Sequence, residues 1–197
     1  MKYRVPLILS IFSSVLVLLF LVFQWSIVDI ITPFLMIPLW MVLSGFFILV
    51  TVIALIVLFK SKNWKPIAVQ AITISLWLFF PFNQIILDLD FKMNKSEREK
   101  VIKMVENQTI KPNVSYNPSL IRLPKEYQHL SKGGGEIVLE KNGNDYYIFF
   151  YTFRGLIDNF SGFVYSPNDK EPNPDDFGVD FIEVDKLDKN WYFISAT

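Results

Sequence analysis

Few side chains in this sequence have the type and spacing that chemistry needs. His129 is the only histidine of 197 residues. A zinc site built on several imidazoles is therefore excluded, and no nucleophile and orienting acid stand near it for general-base work. It reads as a surface or turn residue. The chain has no cysteine, hence no disulfide framework, thiol nucleophile or thiolate metal site. Gly133, Gly134 and Gly135 lack the Lys-Ser/Thr pair of a phosphate-binding loop, and a strand follows them, so they read as a flexible connection or bulge. The acids Asp169, Glu171, Asp175, Asp176, Asp180, Glu183, Asp185 and Asp188 offer oxygen ligands without the alternation of a calcium loop. With Pro167, Pro172 and Pro174 among them, they read as a solvated loop. Neither a Gly-x-Ser-x-Gly elbow nor a Ser-x-x-Lys motif occurs. No cofactor and no metal site are expected.

One constellation points to recognition. From Tyr146 to Phe153 both faces of a strand are apolar or aromatic, where a half-exposed strand would alternate. Such a strand is either central and covered on both sides, by a helix opening at Ser96 on one face and the loop 154–160 or 166–178 on the other, or presents aromatics to a partner. Arg154 and Asp158 follow directly. Aromatic and arginine side chains are the usual anchors of protein interfaces, so the candidate partner-binding residues are Tyr151, Phe153, Arg154 and Asp158. The competing reading makes Tyr151 and Phe153 core residues and pairs Arg154 with Asp158 inside its own loop.

These residues need elements to hold them, and the composition divides the chain in two. Hydrophobic residues make up 52%, with 19 Phe, and only 19% are charged, below the roughly 25% of a soluble domain. Residues 1–91 carry five basic and three acidic side chains, against 14 and 16 in residues 92–197. The even balance leaves no basic excess to neutralise phosphates, so no nucleic acid is expected as partner.

Three uncharged apolar runs dominate the first half: 5–23, 30–59 and 66–87. About 20 apolar residues of helix cross a ~30 Å hydrocarbon core. Pro33 and Pro38 trim the second run, so spans are expected at about 5–23, 36–59 and 66–87, within a membrane region of residues 1–88. The first run ends without a small-residue cleavage site and reads as an uncleaved anchor. Lys2, Arg4, Lys60, Lys62 and Lys65 all fall on one side if the amino terminus is cytoplasmic. Three crossings then put residues 89–197 outside the cytoplasm. No ionisable residue lies inside a span, which weakens an ion- or proton-path reading. Asn83 and Gln84, just after Pro81, read either as a small vestibule or as a bent helix end.

The remaining residues suggest a small α+β domain. Ser96 to Glu99 has the form of a capping box opening an amphipathic helix through Val105. Strand candidates lie at 119–123, 136–140, 146–153, 162–165, 181–184 and 191–195, with Asn142 and Gly143 as a hairpin signal. The expected fold is a three-helix membrane anchor with one helix packed on a mainly antiparallel sheet of four or five strands. Its cysteine-free exported domain fits a bacterial envelope. The expected function is a non-enzymatic integral membrane protein of the plasma membrane, displaying an extracytoplasmic interaction domain. Immunity factors, inhibitors and accessory subunits are of this kind, and the bilayer and a protein are its expected partners. The alternatives are a membrane-tethered hydrolase using two carboxylates on an envelope polymer, or a small channel or transporter subunit.

Overall fold

A computed structural model describes residues 4–142, 145–155 and 159–196. Lys2, Gly143 and Asp158 lie outside the described residues. The chain forms two compact units, Met1–Ile86 and Leu87–Thr197.

The first unit is helical. Helix α1 (Arg4–Ser61) leaves helical geometry at Thr32, with φ 71° and ψ 152°. The residue before a proline is biased away from the α region, and Pro33 follows. Two segments of α1, Arg4–Val28 and Ile30–Ser61, are each long and apolar enough to cross a membrane. They run back along one another, with Phe12 edge-on to Phe46 and Phe20 edge-on to Trp40, each at 6.2 Å between ring centroids. The chain stays helical up to the break at Thr32, and Pro33 fits a helix start.

Helix α2 (Lys65–Phe79) has 15 residues, about 22 Å, which is short of a ~30 Å core. It meets helix α3 (Phe82–Glu106) at a 59° bend, and the pair together passes the length and composition test for one more span. Pro81 sits at that break. Two helices suffice to cross a membrane, or three crossings if the bent pair counts as one.

Polar groups tie this apolar bundle together. The fully buried Gln70 amide donates to Ser13 Oγ (3.0 Å) and the Ser10 carbonyl (3.3 Å), and its oxygen accepts from Thr51 Oγ1 (3.1 Å). In an apolar medium such bonds between helices fix register and neighbour. Gln24 donates to Asn83 Oδ1, so the residues after Pro81 make a bent helix end tied to α1. Gln70 meets residues 10 and 13 while Asn83 meets residue 24. Helix α2 and its continuation therefore run parallel to the start of α1.

The second unit is α+β. The expected sheet of four or five strands is corrected to six: β1 (Leu120–Arg122), β2 (Glu136–Asn142), β3 (Asp145–Arg154), β4 (Phe160–Tyr165), β5 (Phe181–Asp188) and β6 (Trp191–Ala196). They are antiparallel throughout, in the order β1-β2-β3-β4-β6-β5. The additions are marginal edges. Strand β1 has three residues, held by the buried Leu120 and Ile121, and β5 is mostly exposed and charged.

The expected helix count is also corrected. No separate helix opens at Ser96; α3 runs through it from Phe82. Phe91 is buried in the sheet core together with Val101 and Ile102, so burial upstream carries the helix through a local start signal. It stops at Glu106, where Gln108 takes φ 57° and the Thr109 N–H reaches back to the Met104 carbonyl at 2.8 Å.

Strand β3 is central and covered on both faces. Ile148 and Phe150 join Ile121, Ile137, Phe163 and Trp191 beneath α3. Tyr147 and Phe149 join Val164, Tyr192 and Ile194 on the other face, under Phe177 of the short helix α4 (Pro174–Phe177). Gly162 makes room there: a Cβ would stand 2.4 Å from the Phe149 ring and 2.2 Å from the Phe150 carbonyl. The first core also holds a charge. Arg98, 1% exposed, donates to Asp90 Oδ2 (2.6 Å) and lies 4.5 Å over the Phe163 ring. Burial pulls its pKa down and Asp90 opposes the shift.

Candidate functional site

At one end of the sheet, β1, β2 and β3 bring together residues distant in sequence. Antiparallel register sets Arg122 opposite Glu136. The Glu136 side chain is 4% exposed, and a carboxylate so buried needs partners. Arg122 Nη2 donates to its Oε1 at 2.7 Å and Arg154 Nη1 to its Oε2 at 3.1 Å. The Tyr116 hydroxyl donates as well, at 3.1 and 3.2 Å from the two oxygens. Burial pushes the Glu136 carboxyl up, but the bonds from Arg122, Arg154 and Tyr116 outweigh it and hold it below the ordinary glutamate value. The two arginines remain outward, their side chains 58% and 38% exposed.

The triple glycine explains how Arg154 is held. Gly133, Gly134 and Gly135 all have positive φ, at 72°, 115° and 70°, a region that side chains disfavour. A Cβ on Gly133 would stand 3.0 Å from Arg154 Cβ, and one on Gly135 2.6 Å from Gln128 Cβ. This segment is thus a tight cover over the Arg154 stem, not a loose connection. Ser131 fastens it to β3: its Oγ accepts from the Tyr151 N–H at 2.9 Å and donates to the Glu136 carbonyl. The Arg154 guanidinium lies 5.2 Å from the Tyr151 ring centroid.

Of the residues singled out from sequence, the fold brings Tyr151 and Arg154 together. Tyr151 and Phe153 are half-buried and Arg154 is exposed. Arg154 pairs with Glu136, which sequence reasoning had not joined to it; Asp158 lies outside the described residues. Arg122, Glu136 and Tyr116 were missed. The one available signal was an acid, Glu136, on the side of β2 shared with the apolar Val138, and its cross-strand partner depends on a register that the sequence does not display.

His129 is on the surface, with Nε2 3.0 Å from Glu97 Oε2. Among the described residues no three His, Asp or Glu side chains gather as a metal-holding group. The acidic 169–188 segment is engaged in part: Asp169 pairs with Lys186 and Asp188 with Lys95, each at 2.6 Å. In the helical unit a cavity of about 330 Å³ is walled by Phe20, Trp40, Phe47 and Trp77, with Ser44 and Thr73 as its hydroxyls. None of its lining residues is ionisable.

Glu136 is poorly suited to acid catalysis. A general acid needs a raised pKa and a free proton position, whereas Glu136 is held ionised and engaged on both oxygens. The arrangement can instead present two ordered guanidiniums beside a tyrosine ring. Comparison with protein-family models, curated proteins and solved structures finds no match to this chain.

Proposed function

We propose that this chain is a three-span membrane protein that displays its Leu87–Thr197 unit outside the cytoplasm and acts by binding a protein partner, not by catalysis. The immunity factors, inhibitors and accessory subunits of envelope complexes work in this way. The carrying observation is the outward pair Arg122 and Arg154, ordered by the buried Glu136 beside Tyr151. Arginine and tyrosine lose little conformational freedom when held in place before contact, which favours them as binding anchors.

The crossing count is supported by levels within the bundle. Gln70 lies beside residues 10 and 13, and Asn83 beside Gln24. The path from Lys65 to Asn83 therefore covers the same depth as the first apolar segment. Lys60, Lys62 and Lys65 then share a side with Arg4, as the preference of basic residues for the cytoplasm requires.

The test is Arg154→Ala in the full-length protein, with a photo-crosslinking residue at Tyr151. The expected outcome is a crosslinked partner that disappears in the variant while the domain's melting temperature stays within about 3 °C. A partner captured equally by both proteins, or a domain that unfolds in the variant, counts against the surface.

A further inference from the structure

We infer that the Arg122–Arg154 pair receives a carboxylate on an acidic segment of the protein partner, with Glu136 as the concealed counter-ion that sets the two guanidiniums in place. The inference rests on the partner-binding reading and names the chemistry of that partner. Glu136 carries one negative charge and two cations close on it. One guanidinium would neutralise it; the second leaves the Arg122–Glu136–Arg154 triad, counted without Glu140 farther along β2, one positive charge in excess. A guanidinium offers five donors in a fixed fork, and the bond to Glu136 uses one nitrogen of each.

Strand addition at this edge is closed. The Asn113 side chain accepts from the Arg122 N–H (2.8 Å) and donates to its carbonyl (3.1 Å), and the Asn113 N–H donates to the Leu120 carbonyl (3.2 Å). These bonds occupy the outer backbone groups of β1, so a partner is read through side chains instead of main-chain pairing. A singly charged carboxylate matches the excess charge. A phosphate dianion matches less well, because Glu140 lies on the same face of β2 as Glu136.

The test uses full-length protein in nanodiscs of zwitterionic lipid, with poly-L-glutamate as probe. Binding is expected to weaken with salt and to fall about tenfold or more in Arg122→Gln, while the melting temperature falls by only about 5 °C because Arg154 and Tyr116 still bond Glu136. Arg122→Lys keeps the charge and loses the fork, so it should fall between the two. Absence of poly-L-glutamate binding, or binding indifferent to Arg122→Gln, overturns the inference. So does inorganic phosphate competing at lower concentration than acetate. A partner crosslinked at Tyr151 whose capture ignores Arg122→Gln would leave the partner reading standing and remove this one. Poly-L-glutamate binding without any crosslinked partner would leave the carboxylate chemistry of the arginine pair standing but remove the protein partner, and with it both readings.

Discussion

Glu136→Gln removes the charge that organises the end of the sheet while keeping the shape of the side chain. The amide retains one acceptor oxygen and turns an NH2 toward a guanidinium, replacing an attraction by a donor–donor clash. A hydrogen bond involving a charged group contributes roughly 1.5–3 kcal/mol. Both arginines are well exposed and regain water, so the net loss lies near the low end, about 2 kcal/mol. For a unit of this size, that lowers the melting temperature by about 10 °C. The pH dependence is the sharper readout. The folded Glu136 value is below the ordinary one, so its contribution is fully present above the unfolded value and is lost as pH falls through the folded value. The protonated glutamic acid resembles glutamine, so the gap between the two proteins should hold from neutral pH down to the ordinary glutamate range and close as pH falls further, through the folded value. The assay is near-ultraviolet circular dichroism of the full-length protein in detergent, melted across that range. A gap that is absent at neutral pH, or that persists unchanged in acid, refutes the account of Glu136 as an ionised hub.

Two further substitutions test the packing of each unit. Gly162→Ala should destabilise the domain by about 3 kcal/mol, because the new methyl meets the Phe150 carbonyl as well as the Phe149 ring and backbone must move; an unchanged denaturation midpoint contradicts it. Gln70→Leu should weaken the helical bundle by only about 1 kcal/mol, since Ser13 and Thr51 keep bonds to their own helix carbonyls. Unfolding by a denaturing detergent measures this, and a loss several times larger would mean that Gln70 does more than join helices.

What could be read from the sequence was whatever repeats along the chain. The apolar runs located the two membrane-length segments of α1, while the third run is broken at Pro81 into α2 and the start of α3. Apolar and aromatic runs bounded by turn residues located all six strand segments, though as a sheet of four or five. The two-sided apolar pattern from Tyr146 to Phe153 anticipated a strand covered on both faces, as Phe149 and Phe150 are. Local signals failed where distant contacts outweighed them. The Ser96 capping box is passed over because Phe91, five residues earlier, is buried in the core. Arg98, on its face a solvated helix residue, is closed in by Asp90, Phe163 and the Leu130 carbonyl. The site was half visible: Tyr151 and Arg154 stand three residues apart, but Glu136 reaches them only through strand pairing, and Arg122 lies 14 residues before it. Register is a property of the assembled sheet, so no window of sequence contains it.

The three-crossing topology underlies every proposal about a partner, and the absence of native cysteine makes it directly measurable. Single cysteines are placed by Lys62→Cys, between α1 and α2, and by Asp185→Cys, on the exposed edge strand β5. Intact cells are then treated with a charged maleimide that does not cross membranes. The account predicts labelling of the position 185 cysteine in intact cells, and of the position 62 cysteine only after permeabilisation. The reverse pattern, or labelling of both positions in intact cells, would contradict it.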